Sequence, residues 1–438
     1  MNNLIALHKL RTFDKSFSLD VCLQRPDRYR HIDSLSNFEP IIARGGGFSY
    51  TPASFGNGSK SIDMTKFNRI GVYDHANSTI LLESGVKLID LINWAAKHKL
   101  HLPVLPGHPH ITIGGCIAAD AHGKNPFVDG TFADYVEEIL LFHPSYGYQN
   151  LSRINNPEIF SLTCGGYGLT GIIISAKLRL LKLPSYYVKT VSTGIASLYD
   201  AIDKLTTASG MSAYSWHDAT KGGNFGKGLF FSSQWDDDKI PTEFTPYLYK
   251  LNSTIKDLPF SAWNKSSTSI VNYIYNKVNC GKTTSIEYIK SCFPLINNRF
   301  YYYFYGKLGV REYQLLIQDQ FIIKFIDSFY DLQKNDNFPG VMISIKKFKG
   351  NQHSLSPSGT GYMISFSAYV NKDTLCVFSK LDEMMLAFKG QPYIVKDSRL
   401  PYEVAIRSIK NYDSFRNNLI NYDPLRLLRS ELSDRLKI

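Results

Sequence analysis

From Pro40 to Leu183 short apolar runs alternate with glycine-rich turns: "PIIARGGG", "SIDM", "STILLESGV" and "GIIISAKLRLLKL". Runs of this length, rich in β-branched residues and bounded by glycines, predict strands. One segment breaks the rhythm. In "KLIDLINWAAKHKL", Leu88, Leu91, Ile92 and Ala95 fall at helical spacing, and Lys97 and Lys99 lie near the end where cations complement the helix dipole. Past Pro184 the pattern changes. The aromatic-rich runs "YYVKTVSTG", "KGLFFSSQW" and "RFYYYFYGKLGV" read as strands, while "YDAIDKLTTAS" and "QDQFIIKFIDSFYDLQKN" carry the helical period. The last stretch, from Pro401, reads as helical, with Asp423 before Pro424 as an N-cap and first-turn proline. The pattern predicts an α+β protein whose glycine-rich part gives way near residue 184 to a second α+β domain.

Composition narrows the class. A chain of 438 residues exceeds the size of one hydrophobic core, so two domains are expected. With 44% hydrophobic and 20% charged residues it is globular, neither disordered nor fibrous. The six cysteines are scattered, with no CxxC pair and no zinc-type spacing, and read as reduced thiols of a cytoplasmic protein. "MNNLIALHKLRTFDKSFS" lacks a signal-peptide core, and no apolar window is long enough for a membrane span. A net charge of +11 favours an anionic partner: phosphate ligand, nucleic acid or acidic membrane surface. The basic residues are dispersed, "SIKKFKGNQ" being the nearest to a cluster.

The glycine turns carry the chemistry. "RGGGFSY" follows an apolar strand and brings three glycines into a turn whose N–H groups can form an anion-binding concavity. "LPGHPHITIGGCIAADAHGKN" adds Gly107, Gly114, Gly115 and Gly123, with small alanines that let a flat ligand lie against backbone. Neither is a Rossmann fingerprint, and Lys124 is followed by Asn125, not by the hydroxyl residue of a P-loop. With a third turn, "CGGYGLTGIII", they point to a long dinucleotide. His108 and His110 have metal-ligand spacing but no third ligand of matching type, so no metal is expected. His122 sits inside the glycine cluster beside Lys124.

In order along the chain, "ARGGGFSY", "SIDMTKFNRI", "VLPGHPHITIGGCIAADAHGKN", "NPEIFSLTCGGYGLTGIII", "SWHDAT", "EYQ", "KDSR" and "DPLRLLRSELSDRL" resemble the FAD-linked oxidases of the vanillyl-alcohol-oxidase and p-cresol-methylhydroxylase type. "HGKN" and "KDSR" narrow the resemblance to the decaprenylphosphoryl-ribose oxidase branch, which oxidises the 2′-hydroxyl of a polyprenyl-phosphate pentose as half of an epimerisation in cell-envelope synthesis. The resemblance implies a two-domain PCMH-type α+β fold: residues 1–184 bind FAD, 185–390 form a mixed-sheet substrate domain, and 391–438 return to the FAD domain. It places Ala43, Arg44, Gly45, Gly46, Gly47, Phe48, Ser49 and Tyr50 around the pyrophosphate. Gly107, Thr112, Ile113, Gly114, Gly115, Cys116, His122, Gly123, Lys124 and Asn125 line the rest of the cofactor, with Ile173 on the adenine side and Tyr393 at the flavin. Covalent members carry histidine where this chain has Phe48, so non-covalent FAD is expected.

By the same resemblance Lys396 contacts the reacting hydroxyl, as a base with lowered pKa or as a fixed donor, and His122 is the second catalytic group. A surface lysine paired with Asp397 is the plainer reading of Lys396. Lys124, Gln314, Lys346 and Phe348 complete the substrate pocket, with Lys346 or Lys124 meeting the phosphate. The chain departs from the family at Met363 and Ser365, which replace an asparagine and a cysteine, and at Glu312, where a glutamine is expected. Reagents that trap the family's cysteine therefore find no thiol at position 365. The implied partners are a phosphorylated or polyprenyl-phosphate sugar, a short-chain reductase, and the cytoplasmic face of a membrane held peripherally; nucleic acid is not expected. A soluble sugar, alditol or aldonolactone oxidase is the alternative, and a non-catalytic basic binding protein a more remote one. "SAWNKSSTSIVNYIYNKVNC", Ser261 to Cys280, is too mixed to choose between lipid and soluble substrate.

Overall fold

The computed structural model describes residues 5–35, 39–239, 246–247, 257–293, 299–351 and 353–438. Its α+β architecture rests on three main sheets. The first has the strand order Ile5–Arg11, Ser18–Gln24, Lys60–Asp63, Ile41–Arg44. The second runs Ile70–Asp74, Thr79–Glu83, Ile172–Arg179, Val136–His143, Gly147–Ser152. The predicted helix, Leu88–Lys97, buries Leu88, Leu91, Ile92 and Ala95 against this sheet, together with Ile113, Cys116 and Ile117 of the short helix Ile113–Ala118. The C-terminal segment lies along the first sheet: Ile41 N–H donates to Leu427 O at 2.7 Å, and Glu431 N–H to Phe55 O at 2.9 Å.

Eight strands make the third sheet, in the order Thr283–Glu287, Tyr187–Ile195, Gly228–Trp235, Ser212–Asp218, Gly340–Gly350, Gly359–Tyr369, Val310–Gln318, Gln391–Pro392. Helices Leu198–Thr207, Ile322–Asn335 and Thr374–Ala387 cover one face. The side chains they bury from the central strands are alternate residues, including Tyr313, Leu315, Ile343, Ile345, Ile364 and Phe366. The intervening residues face the other way, toward the glycine turns.

Two sequence expectations are corrected. "RFYYYFYGKLGV" is mostly helical: a helix spans Arg299–Tyr303, a 3-10 turn spans Gly306–Leu308, and the strand starts only at Val310. Its tyrosines pack with Trp263 and Tyr50 in an aromatic cluster, so burial on several sides overrides the strand preference of aromatic residues. Asp423 caps no following helix. It ends the helix Tyr412–Tyr422 and accepts from Leu428 N–H at 2.9 Å, which turns the chain back toward the first sheet.

Candidate functional site

A cavity of about 400 Å³ lies between the glycine turns and the open face of the eight-stranded sheet. On one wall, Gly45, Gly46, Gly47 and Phe48 follow directly from the strand Ile41–Arg44. Their backbone N–H groups make no hydrogen bond to any described residue, leaving four consecutive donors for a ligand. The turn has no room for side chains: a Cβ on Gly45 would come to 2.1 Å from Thr112 Oγ1 and one on Gly46 to 2.5 Å from His110 O, while Gly47 has φ +75°. This is an anion cradle made of main chain. The helix Ile113–Ala118 is not a second one, because its first donors are occupied by Val86 O, Ser84 O and Thr112 Oγ1. Ser84 Oγ, buried in this wall, has no partner among the described residues.

The opposite wall is built by strand alternation. Register pairs Gln314 with Ser365 and Ser365 with Ser344, then Leu316 with Met363 and Met363 with Lys346. Glu312, Gln314, Met342, Ser344, Lys346, Met363 and Ser365 therefore line one face of the cavity. Lys396 enters from the 3-10 turn Ile394–Lys396, beside the edge strand. That turn is fixed from behind. Asp397 accepts from Arg399 N–H and Leu400 N–H at 2.9 and 3.0 Å, and the Arg399 guanidinium grips Asp382 at 2.7 and 2.8 Å.

Lys396 is not the partner of Asp397. Its Nζ lies 3.3 Å from Glu312 Oε2 and 4.0 Å from the centre of the Tyr50 ring, and Glu312 Oε1 accepts from Ser365 Oγ at 2.7 Å. Glu312 is the only carboxylate among the described residues that line the cavity. His122 is engaged at both ring nitrogens, Nδ1 with Gly123 O at 3.3 Å and Nε2 with Gln314 Nε2 at 3.1 Å. The assignment that fits is Nδ1–H donating and Nε2 accepting, a neutral ring. Burial and the nearby Lys346 hold its pKa well below the ordinary histidine value.

Most of the predicted site residues come together here. Ala43, Arg44, Ser49, Tyr50, Gly107, Thr112, Gly114, Gly115, Gly123, Lys124, Ile173 and Tyr393 line the cavity. Four do not. Ile113 and Cys116 are wholly buried in the core beneath the glycine turn, because the helical period turns them away from the cavity. Asn125 precedes the short helix Pro126–Asp129 and donates to Gly210 O at 3.3 Å. Phe348 lies behind His122, edge-on at 5.7 Å, in a small core cluster with Met363 and Tyr393. Sequence reasoning missed Met342 and Ser344, which the alternation from Lys346 would have supplied. It also missed Tyr167, which stands inside the third glycine turn, and Ser84, Tyr214, Cys292 and Tyr302, which no motif flags.

Residues 35–145 match the FAD binding domain family. Over 410 residues, 91% of this chain and 89% of the relative, the sequence is 26% identical to decaprenylphosphoryl-beta-D-ribose oxidase of Mycolicibacterium smegmatis. The protein is an FAD-dependent oxidoreductase. The flavoenzyme is also 30% identical to D-lactate dehydrogenase of Anaerostipes hadrus over 139 residues, 31% of this chain and 29% of the relative. It is 37% identical to a probable L-gulonolactone oxidase of Arabidopsis thaliana over 124 residues, 26% of this chain and 22% of the relative. The cavity fits the cofactor these comparisons imply: the unpaired N–H run beside Arg44 would hold a pyrophosphate, and Gly107, Thr112, Gly114 and Gly115 would flank the rest.

The oxidoreductase gathers positive charge in this cavity. Lys124, Lys346 and Lys396 all reach the cavity. Lys346 Nζ donates to Gly123 O at 2.8 Å, and Lys124 Nζ donates to Ser291 O. Burial pushes Lys346 down to about 7, with Lys396 and Lys124 adding to the effect and Glu312 opposing it. Burial likewise pushes Lys124 down to about 8. Charging both is costly until an anion joins them.

Proposed function

We propose that this oxidoreductase oxidises a secondary hydroxyl of a phosphorylated sugar, foremost the 2′-hydroxyl of a polyprenyl-phosphate pentose, as one half of an epimerisation in cell-envelope glycan synthesis. The observation that carries this reading is the convergence of Lys124, Lys346 and Lys396, from three different elements, on one cavity that holds a single carboxylate among its described residues. A phosphate would give Lys346 and Lys124 the counter-charge they lack. Bound FAD supplies the two-electron acceptor. Lys396, held by Glu312 and the Tyr50 ring, contacts the reacting hydroxyl and donates to or accepts from its oxygen. His122 and Gln314 form a neutral hydrogen-bonded pair that orients the sugar and leaves the proton traffic to Lys396 and Glu312. Met363, whose thioether is a poor hydrogen-bonding group, favours a sugar with fewer polar contacts there than an asparagine would offer.

FAD is held non-covalently, since Phe48 stands where an attaching histidine would. The ring nearest to Phe48 is His108, stacked on it at 3.9 Å. Acid precipitation tests this directly: flavin released to the supernatant is the expected result, and flavin retained in the pellet would move the attachment to His108 or another side chain. A short-chain reductase completes the epimerisation by reducing the keto-sugar, and the oxidoreductase works peripherally at the cytoplasmic membrane face.

A soluble aldonolactone or alditol substrate is the competing reading, favoured by Glu312, which offsets one of the three lysines. Anaerobic mixing of the flavoprotein with a phosphorylated pentose and, separately, with an aldonolactone distinguishes them. Bleaching of the flavin by the phosphorylated sugar alone is expected, and bleaching by the lactone alone would replace the proposal.

A further inference from the structure

The helix Lys265–Asn279 is built inside out. The two side chains it buries most deeply are polar, Thr268 and Asn272, with Val271 and Tyr275 half-buried beside them, and Asn272 Nδ2 donates to Asp218 Oδ1 at 2.9 Å and Val341 O at 2.8 Å. Its outward face is apolar. Ile270, Tyr273, Ile274 and Val278 are 61%, 57%, 53% and 51% exposed, at the spacing of one helical stripe. Burial normally sorts a helix the other way, so this stripe needs a partner.

Charge identifies the partner. From Pro259 to Ile286 the chain holds Lys265, Lys277 and Lys282 and no acidic residue, within a protein of net charge +11. Lys277 lies over the Tyr273 ring at 5.8 Å, at the edge of the stripe. An aromatic and aliphatic stripe with Lys277 at its edge, in a segment that carries no acidic residue, suits the headgroup region of an anionic bilayer, where the apolar side chains enter the acyl boundary and the ammonium group meets lipid phosphate. No described helix is long and apolar enough to cross a membrane, so the stripe would lie in the surface. The helix also adjoins the cavity: its Tyr275 ring packs at 4.7 Å on Trp216, in a cluster with Tyr214 and Met342, which line the cavity wall.

We infer that the outward face of the helix Lys265–Asn279 seats the oxidoreductase on an anionic lipid surface, next to the substrate cavity. The inference gives the lipid-phosphate reading its place of action and rests on that reading for its purpose, though not for the binding itself.

The test is flotation of the full-length holoprotein with vesicles of phosphatidylcholine alone and of phosphatidylcholine mixed with phosphatidylglycerol. The expected result is co-flotation with the anionic vesicles that weakens as salt is raised, and that falls about tenfold or more in the double variant Ile270→Glu, Ile274→Glu. Flavin content and melting temperature verify that the variant is folded. Should it fail to fold, Lys277→Gln serves instead, with a smaller loss of co-flotation expected. Holoprotein that floats with neither vesicle, or a folded variant that floats as well as the parent, would overturn the inference. So would a parent dimer that the variant converts to monomer without any vesicle binding, which would assign the stripe to a second copy of the chain. Vesicle binding without flavin bleaching by any phosphorylated sugar would refute the substrate reading and leave the docking face standing.

Discussion

The two walls of the cavity offer a ligand opposite means of recognition. The turn Gly45–Phe48 offers main-chain donors and no charge of its own beyond the neighbouring Arg44, and its contacts with Thr112 and His110 tolerate no added Cβ. The sheet wall offers side chains, Glu312 and Lys346 among them, on strands paired within the sheet, and Lys396 from its 3-10 turn and Lys124 from the loop after Gly123 join them in the cavity. A ligand common to many enzymes can be bound by backbone, which any sequence supplies provided glycine clears the way. A ligand particular to one enzyme needs side chains, which can change one at a time. The cofactor wall should therefore break as a unit, and the substrate wall residue by residue.

The largest effect tests the first half of that contrast. Gly46→Val sets a branched side chain against His110 O, and the variant should lose FAD affinity by about a hundredfold or more while keeping its far-ultraviolet dichroism. Flavin-to-protein absorbance reads it, and a normally yellow variant would remove the main-chain cradle. Next, Lys396→Met should retain flavin and lower the rate of anaerobic flavin bleaching by about 10²–10⁴-fold. Unchanged bleaching would demote Lys396 to a structural lysine.

A smaller effect follows from Lys346. Its ammonium is protonated below about 7 and neutral above, so KM for a phosphorylated substrate should rise as pH climbs through that value. Lys346→Met should abolish the inflection. The same shift has a stability sign. Between about 7 and the ordinary value of 10.5 the unfolded chain binds the proton that the folded lysine has released, so the substrate-free protein should grow more stable as pH rises across that window. Thermal melts of parent and Met variant check the difference. The smallest expected effect is none. Cys292 lies in the cavity wall, but burial pushes its thiol up to about 11, so alkylating reagents at neutral pH should leave activity intact.

The cofactor wall was the more legible in sequence because glycine density is a local signal. "RGGGF" announces a turn wherever it stands, and the structure adds only that its donors are unpaired. Met363 and Ser365 are legible only through the resemblance, whereas the period of two, carried along the strand from Lys346, supplies Ser344 and Met342. What stayed hidden depends on tertiary contact. The pairing of Lys396 with Glu312 joins residues 84 positions apart and overrides the adjacent Asp397, which Arg399 holds. The helix in "RFYYYFYGKL" and the inverted faces of Lys265–Asn279 likewise follow from neighbours that periodicity does not name.

The alternation in the three central strands has a consequence for how such an enzyme changes over generations. Along Val310–Gln318, Gly340–Gly350 and Gly359–Tyr369, odd and even positions answer to separate demands. Tyr313, Leu315, Ile343, Ile345, Ile364 and Phe366 hold the helices, while their neighbours Gln314, Ser344, Lys346, Met363 and Ser365 line the cavity. Selection can exchange the second set, one residue at a time, while the first keeps the sheet covered. A new substrate preference can thus arise by drift at alternate letters of the same three strands, whereas a single inserted residue would exchange the two sets and forfeit both.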